Sequence, residues 1–231
     1  MMTDRFNSLS EVNAAIVECE KCPRLREYCA AVAREKRRAF RDQTYWGKPL
    51  PGFGDSQARL LIVGLAPAAH GGNRTGRMFT GDSSGDFLYA ALYRAGFANQ
   101  PTSISADDGL ELIDAYIVAA GRCAPPDNKP TRDELANCRP YLGEELRLLK
   151  NVCVIVALGR IAFETALAAL ADRGVIIPQP RPAFGHNCAY RLQHYTLIAS
   201  YHPSQRNTST KLLTPAMFDR VFKRVKLALS S

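Results

Sequence analysis

The chain has 231 residues, 46% of them hydrophobic and 23% charged, which is the composition of an ordinary globular protein able to bury one substantial core. No apolar run approaches the roughly 20 residues that span a bilayer, and the first residues, MMTDRFNSLSEV, lack the apolar core of a secretory signal, so a cytoplasmic location is expected. A net charge of +8 points toward a polyanionic partner, against the plainer alternative of a surface that is merely basic.

Residues 9–19 read as a short helix that delivers Cys19-Glu-Lys-Cys22 to a turn capped by Pro23. Residues 24–39 carry apolar and basic side chains at helical spacing and end in Arg34-Glu-Lys-Arg-Arg38, which reads as a solvated helix face. Residues 45–54 are too rich in Pro and Gly for regular structure and are expected to form an aromatic-packed loop lining the neighbouring site.

Four apolar runs, residues 60–65, 115–120, 152–158 and 195–200, have the pattern of buried parallel strands. Helical patterns at 86–95, 131–149, 160–171 and 214–229 separate or follow them, and Thr131 with Glu134 fits a capping box. Alternating strands and helices imply an α/β protein in which one parallel sheet is covered on both faces. No repeat or linker divides the chain, so residues 1–231 are expected to form a single domain.

Between the first strand and its helix, residues 64–85 read GLAPAAHGGNRTGRMFTGDSSG. A long small-residue loop at a strand's carboxyl end is where α/β proteins build ligand sites. Gly64, Ala66, Ala68 and Ala69 let backbone N–H groups approach a ligand closely, Arg74 and Arg77 bring charge, and Phe79 brings one flat ring. The last strand runs into Tyr201-His-Pro-Ser-Gln-Arg-Asn, which places His202 at a strand end level with that loop. Ser204, Gln205, Arg206 and Asn207 are candidates for phosphate oxygens.

Seven cysteines is an odd number, which argues against a disulfide framework. Cys19 and Cys22 from the N-terminal segment and Cys123 and Cys138 from mid-chain could close a four-sulfur site. Such a donor set suits zinc or an iron–sulfur cluster, and spacing does not choose between them. Cys153 reads as a small buried hydrophobe, while Cys29 and Cys188 have no evident partner.

Taken together, GLAPAAHGGNRTGRMFTGDSSGDFL, RCAPPDNKPTRDELANC and HPSQRNTST closely resemble the motifs of the uracil-DNA glycosylase superfamily, in its family 5 or type b branch. The resemblance runs through nearly the whole chain. It implies a three-layer fold with a four-stranded parallel sheet between helices, and a four-iron, four-sulfur (4Fe–4S) cluster held by Cys19, Cys22, Cys123 and Cys138. It also implies an enzyme that acts as a monomer on single- or double-stranded DNA. Such an enzyme rotates a deaminated base out of the stack and hydrolyses its N-glycosidic bond.

In that reading Gly64, Leu65, Ala66 and Phe79 form the base pocket, and His202 donates to the base as charge develops. Arg77 joins the 204–207 group on DNA. Many relatives carry an acid or amide early in the first motif, where this chain has Leu65 and Ala66. Asp82 is therefore the expected water-activating residue and Asn73 the second choice, with helix capping as the alternative role for Asp82. Strict uracil enzymes end their second strand with Asn, and alignment on Cys123 puts Ala119 there, which implies a permissive pocket that also accepts hypoxanthine. A sliding-clamp partner is compatible with the resemblance, though no motif here marks one. Two other classes stay open: a non-enzymatic nucleic-acid binder with a structural metal, and a cluster-bearing electron carrier.

Overall fold

The computed structural model describes residues 6–230. In chain order it contains α1 (Leu9–Val17), α2 (Pro23–Glu35), β1 (Phe53–Gly54), β2 (Leu60–Gly64), α3 (Gly72–Thr75), α4 (Ser83–Ala95) and β3 (Ala115–Ala119). These are followed by α5 (Arg132–Leu148), β4 (Val154–Leu158), α6 (Arg160–Asp172), β5 (Ala189–Leu192), β6 (Tyr195–Ser200), α7 (Gln205–Ser209) and α8 (Pro215–Leu229).

The six strands form one sheet in the order β1-β3-β2-β4-β6-β5. The four expected strands are its parallel centre. Two short antiparallel strands, β1 against β3 and β5 against β6, are added at the edges. Thus Phe53 and Gly54 do pair, despite a Pro- and Gly-rich context, because an edge strand needs only one partner.

Side chains alternate across the sheet, as a period of two requires. Leu60, Ile62, Ile117, Val154, Val156 and Ile198 pack under α4 and α8, whose contributions include Tyr89, Leu92, Phe218 and Phe222. Leu61, Val63, Val118, Ile155, Leu197 and Ala199 pack against α5 and α6, where Leu142, Leu146, Phe163 and Leu167 face them. Every residue of β2, β3 and β4 is buried, which explains why these strands read as continuous apolar runs.

The helix boundaries follow local chemistry. Thr131 and Glu134 form the full capping box at the start of α5, and Asp82 caps α4 three residues earlier than apolar periodicity places its start. Helix α2 stops at Lys36, whose φ of 54° breaks the helical path before residue 39. No helix among the described residues is long and apolar enough to cross a membrane.

Chain order reverses beside β2, since β3 lies on one side of it and β4 on the other. The crevice outside the carboxyl ends of strands at such a switch point is the default ligand position in an open α/β sheet. The loops after β2 and β6 both end there.

Candidate active site

Those two loops enclose a cavity of about 520 Å³. Leu65, Ala66 and Phe79 line it from the loop after β2, His202, Ser204 and Arg206 from the chain after β6, and Asp82 to Ser84 at the start of α4. The residues expected from two distant stretches of sequence therefore meet in one place.

Phe79 has a φ of 54°, a left-handed conformation that is costly for a bulky residue and is held by its surroundings. Two glycines hold it. A Cβ on Gly64 would come within 2.8 Å of the Phe79 ring, and a Cβ on Gly85 within 1.8 Å of the Phe79 carbonyl oxygen. The ring lies on one glycine while the first turn of α4 presses the other against its backbone.

The His202 ring lies 5.9 Å from that of Phe79, tilted by 32°. Its carbonyl oxygen accepts a hydrogen bond from Asn207 Nδ2 at 2.9 Å. Burial pushes the imidazole down to about 4, so the ring is neutral at ordinary pH, with one nitrogen a donor and the other an acceptor.

Asp82 does two things. Its Oδ1 accepts the backbone N–H groups of Ser84 at 2.9 Å and Gly85 at 3.0 Å. Among the described residues nothing donates to Oδ2, which lies where a Cβ on Gly71 would fall, 1.9 Å away. Burial raises the carboxyl's pKa, and the two N–H bonds oppose that shift. The capping role is real, and it leaves one oxygen available.

A second cavity of about 540 Å³ adjoins the first, sharing Ala68, Asp82, Ser83, Asn128 and Gln205 with it. Asn128 has a φ of 56° and Asp127 before it 53°. The sequence reading quoted this loop yet gave Asn128 no role. The available signal was an Asp-Asn pair between prolines, residue types that tolerate the left-handed region.

Several expected site residues lie elsewhere. Asn73 is fully buried, donating to the carbonyls of Cys29 at 3.3 Å and Ala69 at 3.5 Å, and it lines neither cavity. Arg77 is 5% exposed. It pairs with Asp108 at 2.7 Å, bonds Thr80 and Ser103 at 2.9 Å each and stacks over Phe53, so its charge is committed inside the protein rather than offered to DNA. Asn207 spends its amide on His202. Ala119 is 1% exposed within the core that also holds Phe79, and Gly64 serves as the seat of that ring. The loop at 45–54 packs through Tyr45, which meets His70 Nδ1 at 3.1 Å, and lines neither cavity.

The four cysteines come from neighbouring segments, and Cys138 is influenced by Cys22 and Cys19 and Cys123 by Cys138. Cys22 caps α2, Cys123 follows β3 and Cys138 lies in α5, all three buried, with Cys19 half-buried and all four thiols free. Burial raises the Cys138 thiol, the neighbouring charges of Cys22 and Cys19 add to the rise, and an N–H and the charge of Arg122 oppose it. Cys123 is raised first by its contact with the Cys29 thiol and then by burial, with Arg26 opposing. Cys29, which had no evident partner in sequence, therefore touches a member of the set.

Arg26 Nε, Arg122 Nε and Arg122 Nη1 are buried without a hydrogen-bond partner. Guanidinium groups with unused donors, Arg26 near Cys123 and Arg122 near Cys138, suit an anionic, sulfur-rich group. Among the described residues no three His, Cys, Asp or Glu side chains gather as a single metal ion requires. A single tetrahedral ion with bonds of about 2.3 Å would hold its sulfurs only about 3.8 Å apart.

The sequence pattern of the uracil DNA glycosylase superfamily matches residues 51–226. Proteins named type-5 uracil-DNA glycosylase are similar over nearly all of the chain. That of Mycobacterium leprae is 50% identical across 98% of this chain and 98% of its own length. That of Mycobacterium tuberculosis is 51% identical across 95% and 81%, and that of Thermus thermophilus 49% identical across 91% and 94%. With the paired loops around Phe79 and His202 in place, and with that match covering most of the sequence, the chain belongs to the uracil DNA glycosylase superfamily.

Proposed function

We propose that this chain is a DNA glycosylase that hydrolyses the N-glycosidic bond of uracil and leaves an abasic site. The observation that carries the reading is the facing pair of Phe79 and a neutral His202 on one cavity that Asp82 also lines. The relatives' name, uracil-DNA glycosylase, supports the same reaction.

In this mechanism the target nucleotide rotates out of the duplex. The base lies against Phe79, with the small side chains of the loop after β2 around it. Cleavage of the bond from sugar C1′ to the base nitrogen leaves the electron pair on the base. His202, neutral, donates its N–H to a base carbonyl oxygen as that negative charge grows. Asp82 Oδ2 accepts a hydrogen bond from the water that attacks C1′ and takes its proton, and Asn128, which lines the same cavity, orients the same water. Incubating the protein with a uracil-containing duplex and cleaving abasic sites with alkali tests the reading. Strand breaks at uracil are expected, and none at uracil or any other deaminated base would overturn it.

The base range extends, in our reading, to hypoxanthine. Ala119 lines neither cavity but is in register with Gly64, on which the Phe79 ring lies, and it brings no amide that a differently patterned base would leave unpaired.

Cys19, Cys22, Cys123 and Cys138 are the residues that would hold a 4Fe–4S cluster, with Arg26 and Arg122 donating to its sulfur. Such a group, once bound, would tie the N-terminal helices to the loop after β3 through metal–thiolate bonds. The support is the donor set and its unused N–H groups.

A further inference from the structure

We propose that Arg37, with Arg38 and Arg41 beside it, and Arg206 across the mouth bracket the target nucleotide, each side taking a phosphate of the strand that carries it. The proposal rests on the glycosylase reading for the identity of the strand. It begins from the second cavity, whose Arg37 side no step of that reaction uses.

Arg206 lines the Phe79 cavity and Arg37 lines the adjoining one, while Asn128 and Gln205 belong to both. A chain whose one base enters the first cavity must leave it past the second. Arg37, Arg38, Arg41 and Arg206 are exposed, and none forms an ion pair among the described residues. Unpaired guanidinium groups flanking a cleft attract phosphates and release their counterions.

The basic turn is fixed rather than trailing. Phe40 lies under the Arg74 guanidinium at 4.0 Å. Arg74 in turn bonds the carbonyls of His70 and Gly81 at 2.8 Å each. The Arg37 N–H donates to Tyr45 Oη at 3.4 Å, and that hydroxyl meets His70 Nδ1. Burial first, and then the charges of Arg37 and Arg74, lower the His70 pKa, and Arg37 and His70 line the same cavity. A segment that reads as a solvated helix face is thus held beside the site.

Acidic groups stand beside these arginines. Asp82 and Asp127 line the second cavity, and Glu35 and Asp42 flank the basic turn in sequence. Those carboxylates repel a phosphate, and the guanidinium groups of Arg37, Arg38 and Arg41 attract one. In this proposal the strand lies with its phosphates on the arginines and its base in the Phe79 cavity.

Binding of a duplex carrying a tetrahydrofuran abasic mimic, measured from low to moderate salt, tests the bracket. Arg37→Gln should reduce the slope of log affinity against log salt by about 0.9, the value for one phosphate contact. Arg37→Lys should keep the slope, and replacing Arg37, Arg38 and Arg41 together should reduce it further. Arg191→Gln, on β5 opposite Thr196 at the far end of the sheet, should leave it unchanged. An Arg37→Gln slope equal to wild type overturns the proposal. Uracil excision measured on the same wild-type preparation separates the two readings. Excision with an unchanged slope removes the bracket alone, and a reduced slope without excision keeps the bracket and removes the glycosylase.

Discussion

His202 and Phe79 come from opposite halves of the chain, yet their rings lie 5.9 Å apart at the mouth of one cavity. The pairing assigns a donor and a stacking surface to the same base. Replacing His202 with Ala should lower the single-turnover excision rate by roughly 10²–10³, the cost of one lost oxyanion donor, while DNA affinity changes far less. Near-wild-type single-turnover rates would take His202 out of the reaction.

The same histidine makes stability depend on acid. Unfolded, it titrates near its ordinary 6.5; folded, burial pushes it down to about 4. Between these values the unfolded chain binds a proton that the folded chain does not, so stability is lost as pH falls through that window. The melting temperature of His202→Gln should therefore decline less between pH 6.5 and pH 4 than that of wild type. Parallel curves would show that the ring is not buried as described.

Asp82 separates capping from chemistry by the choice of substitution. Asn caps helices as well as Asp, so Asp82→Asn should keep the melting temperature within a degree or two. Because burial raises this carboxyl's pKa, its ionised form carries a cost in the folded state at neutral pH that Asn lacks. Excision should nevertheless slow markedly, because an amide takes no proton from water. An unimpaired rate would leave Asp82 as a cap alone.

For the cysteine centre, the protein should be brown when purified anaerobically, with iron and acid-labile sulfide. Loss of Cys19, Cys22, Cys123 or Cys138 should bleach it, while Cys153→Ala and Cys29→Ala keep the colour. Zinc without iron would retain the ligands and discard the cluster. The buried Arg122–Glu145 pair nearby should be sensitive too, since removing one partner of such a pair typically costs about 3–5 kcal/mol.

Base choice is tested at Ala119. Ala119→Asn should raise excision of uracil relative to hypoxanthine, measured on matched duplexes. An equal loss on both substrates, with a lowered melting temperature, would show that the position is only strand core.

Three of the central strands, β2, β3 and β4, were legible because every residue in them is buried and each reads as an apolar run, and β6 through its apolar centre Leu197–Ala199. Phe53–Gly54 and Ala189–Leu192 were not, because edge strands are short and their partial burial leaves no pattern. That Phe79, Asp82 and His202 gather at one cavity was legible from unusual residues in small-residue loops at strand ends. Arg77 and Asn73 shared that setting and misled, since sequence does not show which way a side chain turns: one finds Asp108, the other the carbonyl of Cys29. Asn128 and Arg37 were missed for the opposite reason, because only tertiary folding brings residues 28–40 and 125–128 beside the loop after β2.

The seat of Phe79 has a consequence for how such a pocket diversifies. Its ring and its backbone each touch a glycine that no other residue can replace without collision, so three separate codons must stay fixed together for the floor to exist. A lineage altering its substrate by single substitutions is confined to the walls, where Leu65, Ala66 and Met78 carry no such constraint. Divergence in base preference among proteins built this way should accumulate at those positions, and the floor should be inherited unchanged.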